Sequence, residues 1–515
     1  MVAMLLSIIL HLVCSTPFLL ILLWRWQRVA TTPKGCRRIG LPARQSNLQD
    51  EYDKVYSCGR PEDHIDEDGR PSWRIKALFV YPIKSCTGVE LDVADGVDTG
   101  LVYDRQFCFA EQITARKDTD PDSPKWEFKT MRDRRYGLLA LVRPEIWVPD
   151  PTSPDYSPEL EEVRSQGVLV VYYPRIVKGI WSVPVKIGIA LRLCASERSF
   201  RLPLLPPPLD SGNGPGNQDG NGQENSNLYR NCQYPSTRVR IWRDSPYAFD
   251  YGRHIPQSLR DFLALGGSSA AGRPPLSLFR ADPAHSRQVF RCAPRKSTLG
   301  YQPLTAFADA YPIHMLNLAS IRDVAVRCAS AIPRLSVRRF RANIIIQGPD
   351  AYVEDSWKRI RVVSRDRGSR KSKHCLGPSK NNEQPIVEVD GKEQEEEEDA
   401  TEIYTSCRTV RCRLPNVDPD TGIRHPVEPD RTLKSFRRID AGDPNNACMG
   451  MQLVPAVQRM YIYISIYPRC LDEAYNHHLS RRIHYINITC PDPMYPASPF
   501  FSSPPVSLVG SLGLP

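Results

Sequence analysis

Residues 412–422 read Cys412-Arg413-Leu414-Pro415-Asn416-Val417-Asp418-Pro419-Asp420-Thr421-Gly422. Two prolines, two aspartates and a closing glycine make this a turn. At its head stands one thiol between Arg411 and Arg413. Cationic neighbours favour the thiolate, the form that binds metals or attacks electrophiles. Cys407 precedes it with the spacing C-x4-C. A structural zinc site wants closer pairs and two further ligands, and His425 is the only candidate nearby. For either cysteine in isolation, an inert buried thiol is the plainer reading.

Outward from this loop the chain reads as mainly β. Ile75, Ala77, Phe79 and Tyr81 alternate with Lys76, Leu78 and Val80, the period of a strand. Further β-rich runs fall at 89–93, 105–111, 137–142 and 167–172. Apolar residues at helical spacing predict a helix over 255–265, stopped by Gly266 and Gly267. A second helix is predicted over 314–328, and a β-branched strand from Phe340 to Gln347. Two stretches, 203–228 and 364–402, are too polar to bury a core and read as disordered insertions. The second is basic first and acidic later, as a solvated surface loop is.

Several weaker signals flank these runs. Tyr81-Pro82-Ile83-Lys84-Ser85-Cys86 is a strand end entering a turn. Its lysine and serine suit a phosphate or a pterin, though a surface lysine beside a proline turn fits as well. Asp104-Arg105 and Thr130-Met131-Arg132 each set an arginine beside a β-run, where most arginines are solvated. Later come Phe340-Arg341-Ala342-Asn343-Ile344, then Glu354-Asp355-Ser356-Trp357, and last Thr432-Leu433-Lys434-Ser435-Phe436-Arg437.

Taken in order, these motifs resemble the MOSC-domain family with its N-terminal β-barrel domain, close to the amidoxime-reducing components and fungal MOSC proteins. The resemblance covers about residues 73–456 and is most specific from Cys412 to Gly422. It implies an α+β, mainly β fold: an N-terminal barrel-like domain at 71–265 and a MOSC barrel at 266–457. It also implies a molybdenum cofactor (molybdopterin) whose one protein ligand is Cys412, the catalytic and metal-binding residue. A thiolate suits a thiophilic metal otherwise held by the pterin's dithiolene. Lys84, Ser85, Arg105, Thr130, Arg132, Arg341 and Asn343 fall where relatives contact the pterin, and Asp309 on a loop that contacts the cofactor. The implied activity is reduction of small N-hydroxylated or related N-oxygenated compounds. The electrons would come from a b-type cytochrome and a flavoprotein reductase, with the cofactor doing the redox chemistry. A cofactor or sulfur carrier without turnover is the alternative. No aminotransferase-like domain precedes the barrel, so pyridoxal phosphate is not expected.

Two departures stand out. Relatives commonly carry C-x-x-C before this loop, whereas Thr409 occupies the first cysteine's place. The family pattern also stops near Val457, short of the final strands that close the barrel. Residues 458–515 are therefore expected to be an atypical tail, read as translated intron or shifted frame, that leaves the sheet with an open edge.

The chain start carries its own signal. Residues 2–24 are uncharged and mostly Leu, Ile and Val, followed by Trp24, Trp26 and the basic Arg25, Arg28, Lys34, Arg37 and Arg38. That pattern predicts a transmembrane anchor at 1–24, a polar tether at 25–70 and a catalytic part facing the cytosol. A cleaved signal peptide would want the positive charge first. The outer mitochondrial membrane is the first expectation, and the endoplasmic reticulum the second. The 15 cysteines, odd in number and irregularly spaced, argue against a secreted disulfide framework. The net charge of +10 is scattered among acids, so nucleic acid is not the expected partner.

Overall fold

A computed structural model describes residues 4, 7, 10–19, 32–42, 45–57, 73–113, 125–177, 179–191, 195–207, 234–266, 274–366, 400–457, 459–463 and 482–487. Among these the fold is mainly β with few helices. A four-stranded antiparallel sheet runs in the order β1 (Cys36–Arg38), β8 (Arg143–Pro149), β9 (Val168–Pro174), β10 (Glu197–Pro203). A five-stranded barrel closes through β11 (Ser236–Arg240), β12 (Tyr247–Asp250), β13 (Leu276–Ala281), β6 (Phe107–Gln112) and β7 (Trp126–Phe128). Its closing pair is parallel, with Val239 opposite Trp126.

The largest sheet has eight strands. Its order is β22 (Arg482–Asn487), β18 (Arg359–Asp366), β19 (Ala400–Val410), β20 (Cys448–Pro455), β16 (Ile313–Asn317), β17 (Ile344–Gln347), β2 (Arg74–Val80), β3 (Val89–Leu91). β17 and β3 pair with the two edges of β2, and each of its faces packs into a core, Leu78 and Val80 into one and Ala77 and Phe79 into another. Ala77, Leu78 and Val80 are fully buried, so the predicted alternation becomes a near-continuous apolar run. A three-stranded sheet joins β21 (Arg459–Tyr463), β4 (Val93–Val97) and β5 (Gly100–Leu101), and a short pair joins β14 (Arg287–Gln288) to β15 (Leu304–Thr305). Strands from before and after residue 266 interleave: β2 and β3 complete the late sheet, and β13 completes the early barrel.

Several expectations need correction. The run 137–142 is the end of a 3-10 helix, Arg134–Leu141, whose first turn is capped by the Asp133 carboxylate accepting from the Arg135 N–H at 3.0 Å. The segment 314–328 is strand β16 first; the helix begins at Leu318, capped by Asn317, and ends at Arg327. The strand expected from Phe340 starts only at Ile344, because Val337–Phe340 is a 3-10 turn and Arg341 turns left-handed at φ 57°. The ends of the second insertion are ordered pairing: β18 and β19 form an antiparallel ladder from Arg359–Tyr404 to Val363–Ala400. The bulk of both insertions lies outside the described residues. Two stretches of the expected tail pair as strands, β21 with β4 and β22 with β18.

The expected transmembrane helix is not met. Among the described residues no helix is long and apolar enough to cross a membrane. Residues 10–19 are helical, and ten residues rise about 15 Å against a hydrocarbon core of about 30 Å. The rest of the run lies outside the described residues.

Candidate functional site

The site is assembled where β2 and β16 meet the loops behind them. At the end of β2 the chain turns through Tyr81-Pro82-Ile83-Lys84-Ser85, with Ser85 at φ 69°. The turn is pinned to β6: Lys84 N–H donates to Phe107 O at 2.8 Å, and Phe107 N–H to Pro82 O at 2.9 Å. Lys84 is buried, and its ammonium donates to Phe307 O at 2.7 Å and to Asp309 Oδ1 at 2.6 Å. Burial pushes the Lys84 ammonium below its ordinary value. The Asp309 side chain is largely exposed; desolvation works against its charge, but Lys84, Arg105 and a hydrogen bond from Trp242 hold the carboxyl well below the usual carboxylate range.

Arg105 follows a left-handed step of its own, at φ 48°. Its guanidinium pairs with Asp104 and donates to Asn343 Oδ1 at 3.0 Å and Arg341 O at 2.9 Å. Asn343 is fully buried and fixes three strand ends at once. Its amide donates to Phe79 O at 3.1 Å, and its Oδ1 accepts both Arg105 and the His314 N–H at 3.1 Å. Arg341 lies over the Tyr81 ring at 4.2 Å, and Arg105 over the same ring at 4.9 Å. Burial pushes the Arg341 guanidinium down to about 10, so it stays charged at neutral pH.

Cys412 leaves the end of β19 as an exposed, free thiol. The Arg411 N–H donates to Ala447 O at 2.8 Å, and its guanidinium donates to Phe340 O at 2.9 Å. Of the two flanking arginines, Arg413 turns away to Asp430 at 3.2 Å. The charged neighbours of the thiol are Arg411 and Arg424. Arg424 also donates to Arg132 O at 2.7 Å, which ties Thr130-Met131-Arg132 to the Cys412 loop. The Thr130 hydroxyl accepts the Arg132 N–H at 3.2 Å, and the Arg132 guanidinium lies over Trp242 at 4.5 Å.

The turn after Cys412 is held from both sides. Asp418 Oδ1 accepts the N–H groups of Asp420 and Thr421, each at 3.0 Å, and Asp418 Oδ2 accepts Arg339 at 2.5 Å. Gly422 sits at φ 69°, and its carbonyl faces Gly137, where an added Cβ would come within 2.7 Å of it. Glycine is required at that crossing.

The structure thus brings Lys84, Arg105, Asp309, Arg341 and Asn343 into one network, with Cys412, Thr130 and Arg132 bordering it through Arg411 and Arg424. Sequence reasoning missed His314 and Trp242, and gave Arg411 a place beside the thiol but none in this network. His314 is buried, and burial together with Arg411 and Arg105 pushes its ring well below its ordinary value, so it is neutral. Four buried polar atoms in and beside this cluster have no hydrogen-bond partner: Arg341 Nη2, Arg411 Nε, Arg424 Nε and His314 Nε2. Buried polar groups left unmatched in a cationic cluster suit an anionic, hydrogen-bonding ligand. One exposed cysteine sulfur suits a soft metal carried by that ligand. The residues therefore fit a molybdenum–pterin group. Cys407 differs: it is half-buried, and burial pushes its thiol up to about 11. Among the described residues no group of three or more His, Cys, Asp or Glu could hold a metal ion, which leaves the zinc alternative without a ligand set there.

A cleft of ≈ 1910 Å³ lies beside this network and shares only its Tyr81, Met131 and Arg341 edge. Its wall includes Arg38, Arg143, Glu145, Arg338, Arg339 and Asp418.

Comparison with known families agrees with this geometry. The MOSC N-terminal beta barrel domain matches residues 72–147, and the MOSC domain matches residues 304–454. The chain belongs to the MOSC-domain family. It is 31% identical over 371 residues to mitochondrial amidoxime-reducing component 1 of Mus musculus, covering 72% of this chain and 73% of that protein. The Homo sapiens protein of the same name is 29% identical over 138 residues, 27% of this chain and 29% of its own length. A molybdenum cofactor sulfurase of Chaetomium globosum is 28% identical over 131 residues, 24% of this chain and 13% of that protein.

Proposed function

We propose that this chain binds a molybdenum cofactor through Cys412 and uses it to reduce N-hydroxylated or related N-oxygenated compounds. The observation that supports this most directly is the exposed Cys412 thiol beside a buried cationic cluster with unmatched donors. In this reading Lys84, Ser85, Arg105, Arg341, Asn343 and Arg411 hold the pterin and its phosphate. Charge-assisted hydrogen bonds from arginine are suited to that task. Asp309 fixes the Lys84 ammonium, and Asn343 keeps Arg105 aimed by anchoring it to two strands. Thr130 and Arg132 close the side next to Trp242. When bound, the cofactor supplies the two-electron chemistry, and the protein supplies position and charge.

A b-type cytochrome and a flavoprotein reductase are proposed as the electron source. The apolar run at 2–24 is proposed as a membrane anchor with the catalytic part facing the cytosol, on the outer mitochondrial membrane before the endoplasmic reticulum. The test is molybdenum and pterin content of the purified full chain, followed by turnover of an amidoxime with an artificial electron donor. Metal with turnover supports the reductase. Metal without turnover favours a carrier. Absence of both metal and pterin from protein made in molybdenum-replete cells overturns both. For the anchor, resistance to carbonate washing is expected, and release into the supernatant counts against it.

A further inference from the structure

The connection between β9 and β10 does something unusual. Residues Gly179–Trp181 form a 3-10 turn and Ser182–Ala190 an α-helix. Ile180, Val183, Ile187 and Leu191 recur at steps of three, four and four, which places them on one helix face. In a soluble protein that stripe should face the core. Here it faces outward, with these four side chains 86%, 62%, 54% and 63% exposed. Val185 and Ile189, on the opposite side, are half-buried. The stripe is therefore a surplus apolar face, not a misread core face.

Charge narrows what can cover it. Between Pro174 and Glu197 the chain holds Arg175, Lys178, Lys186 and Arg192 and no acidic residue. An exposed apolar helix with basic residues in and around it and no acids suits the surface of an anionic membrane. A stable protein interface uses about 20–30 residues a side, far more than this one turn-and-helix offers. The helix Ser182–Ala190 has only nine residues, so it is suited to lying in the interface, not crossing. A second observation points the same way: β1, the first strand after the apolar 2–24 run, belongs to the same four-stranded sheet that carries this helix.

We propose that residues 179–191 form a second membrane-contact element, which inserts its Ile180, Val183, Ile187 and Leu191 face into the surface of an anionic lipid bilayer. Lys178, Lys186 and Arg192 add attraction to the headgroups. This does not rest on the cofactor reading, and it goes beyond the anchor: a chain held only by its N-terminus would leave the helix in water.

Hydrogen exchange of the full chain, resolved by peptide, tests it. With vesicles of phosphatidylserine and phosphatidylcholine, the amides of 179–191 should exchange at least about tenfold more slowly than in buffer, as expected for an apolar face buried in the interface. Phosphatidylcholine alone should slow them less. Ile180→Asp with Ile187→Asp should abolish the slowing while leaving exchange in β9 and β10 unchanged. Lys178→Glu, Lys186→Glu and Arg192→Glu together should remove the preference for the anionic vesicles. Unchanged exchange with anionic vesicles overturns the proposal, as does equal slowing on both vesicle types or in the double aspartate variant. Slowing that grows with protein concentration in the absence of lipid would make the stripe a self-association face and overturn it as well.

Discussion

The buried network around Arg341 and the cleft beside it both hold arginines, but their partners differ. In the cleft, arginines meet carboxylates: Arg143 pairs with Glu145 at 2.7 Å and Glu197 at 2.8 Å, Arg338 with Asp420 at 2.7 Å, and Arg339 with Asp418 at 2.5 Å. In the network, Arg411 bonds a carbonyl and keeps Nε free, while Arg341 stacks on Tyr81 with Nη2 unmatched. The cleft offers ≈ 1910 Å³ of space, and the network is the more demanding chemistry. Arg143, Arg338 and Arg339 are neutralised by those carboxylates, although Arg339 Nε also has no hydrogen-bond partner. Among the described residues Arg341 and Arg411 have no carboxylate partner, and buried cations without a counter-charge are costly until an anion arrives. Unneutralised charge, more than volume, marks where a ligand belongs.

The strongest way to break this contrast is at Cys412. Cys412→Ser exchanges a soft sulfur for a hard hydroxyl. Changes one shell further from a metal already cost about 10–100-fold, so turnover should fall by roughly 100-fold or more. X-ray absorption at the molybdenum edge should show one sulfur fewer, with part of the pterin retained. Cys407→Ser, at a buried thiol, should leave turnover and sulfur count as they were. The reverse outcome would move the ligand to Cys407.

Next come the arginines themselves. Arg341→Met and Arg411→Met should each lower cofactor retention by about 10–100-fold, since a hydrogen bond to a charged group is worth about 1.5–3 kcal/mol. Pterin released from purified protein and read by fluorescence checks this. Arg338→Met, in the cleft, should retain cofactor like the parent chain. Equal losses at all three positions would erase the distinction between network and cleft.

A smaller effect is expected at Arg339. Its guanidinium is buried while Asp418 is a third exposed, so Arg339→Met should cost roughly 1–3 kcal/mol in chemical denaturation. Because Asp418 shapes the turn after Cys412, cofactor release should also quicken. A loss of stability with no change in release would confine Arg339 to packing.

The mildest concerns pH. The folded Asp309 carboxyl has a depressed pKa, so the unfolded state binds its proton first as pH falls. Its contribution is complete above about pH 4, the ordinary value for aspartate, and is lost as pH falls further. Asp309 is largely exposed, so solvent screening keeps the effect to about 0–1 kcal/mol. Asp309→Asn should flatten the acid limb of a stability–pH curve below about pH 4 and lower the neutral plateau by that same small amount. A steeper acid limb in the variant would reverse the sign of this argument.

What could be read from sequence was what is local. The Cys412 turn, the Lys84-Ser85 turn and the helix near 257–264 each announce themselves within about ten residues. Arg105, Arg341 and Asn343 were reached only by family resemblance, because an arginine beside a strand is ordinarily solvated. His314 and Trp242 carried no signal: their place depends on β16 lying beside β17 and on the barrel turning Trp242 toward Asp309. The run at 137–142 misled because a short apolar stretch cannot be told from a strand by periodicity alone. Its contact with Gly422, 285 positions later in the chain, is invisible locally. The apolar helix of 179–191 escaped notice for the opposite reason. Its composition is that of a core, and only its exposure shows otherwise.

The place of β2, next to last in the late sheet, governs how this chain is made. Asn343 bonds Phe79 across 264 positions of sequence. At a synthesis rate of about 5–20 residues per second, β2 waits roughly 13–50 s for its neighbour to leave the ribosome. For that interval an apolar strand has β3 on one side and an open edge on the other. Chaperone capture of the nascent chain should therefore begin soon after residue 80 emerges and end only once β17 has docked.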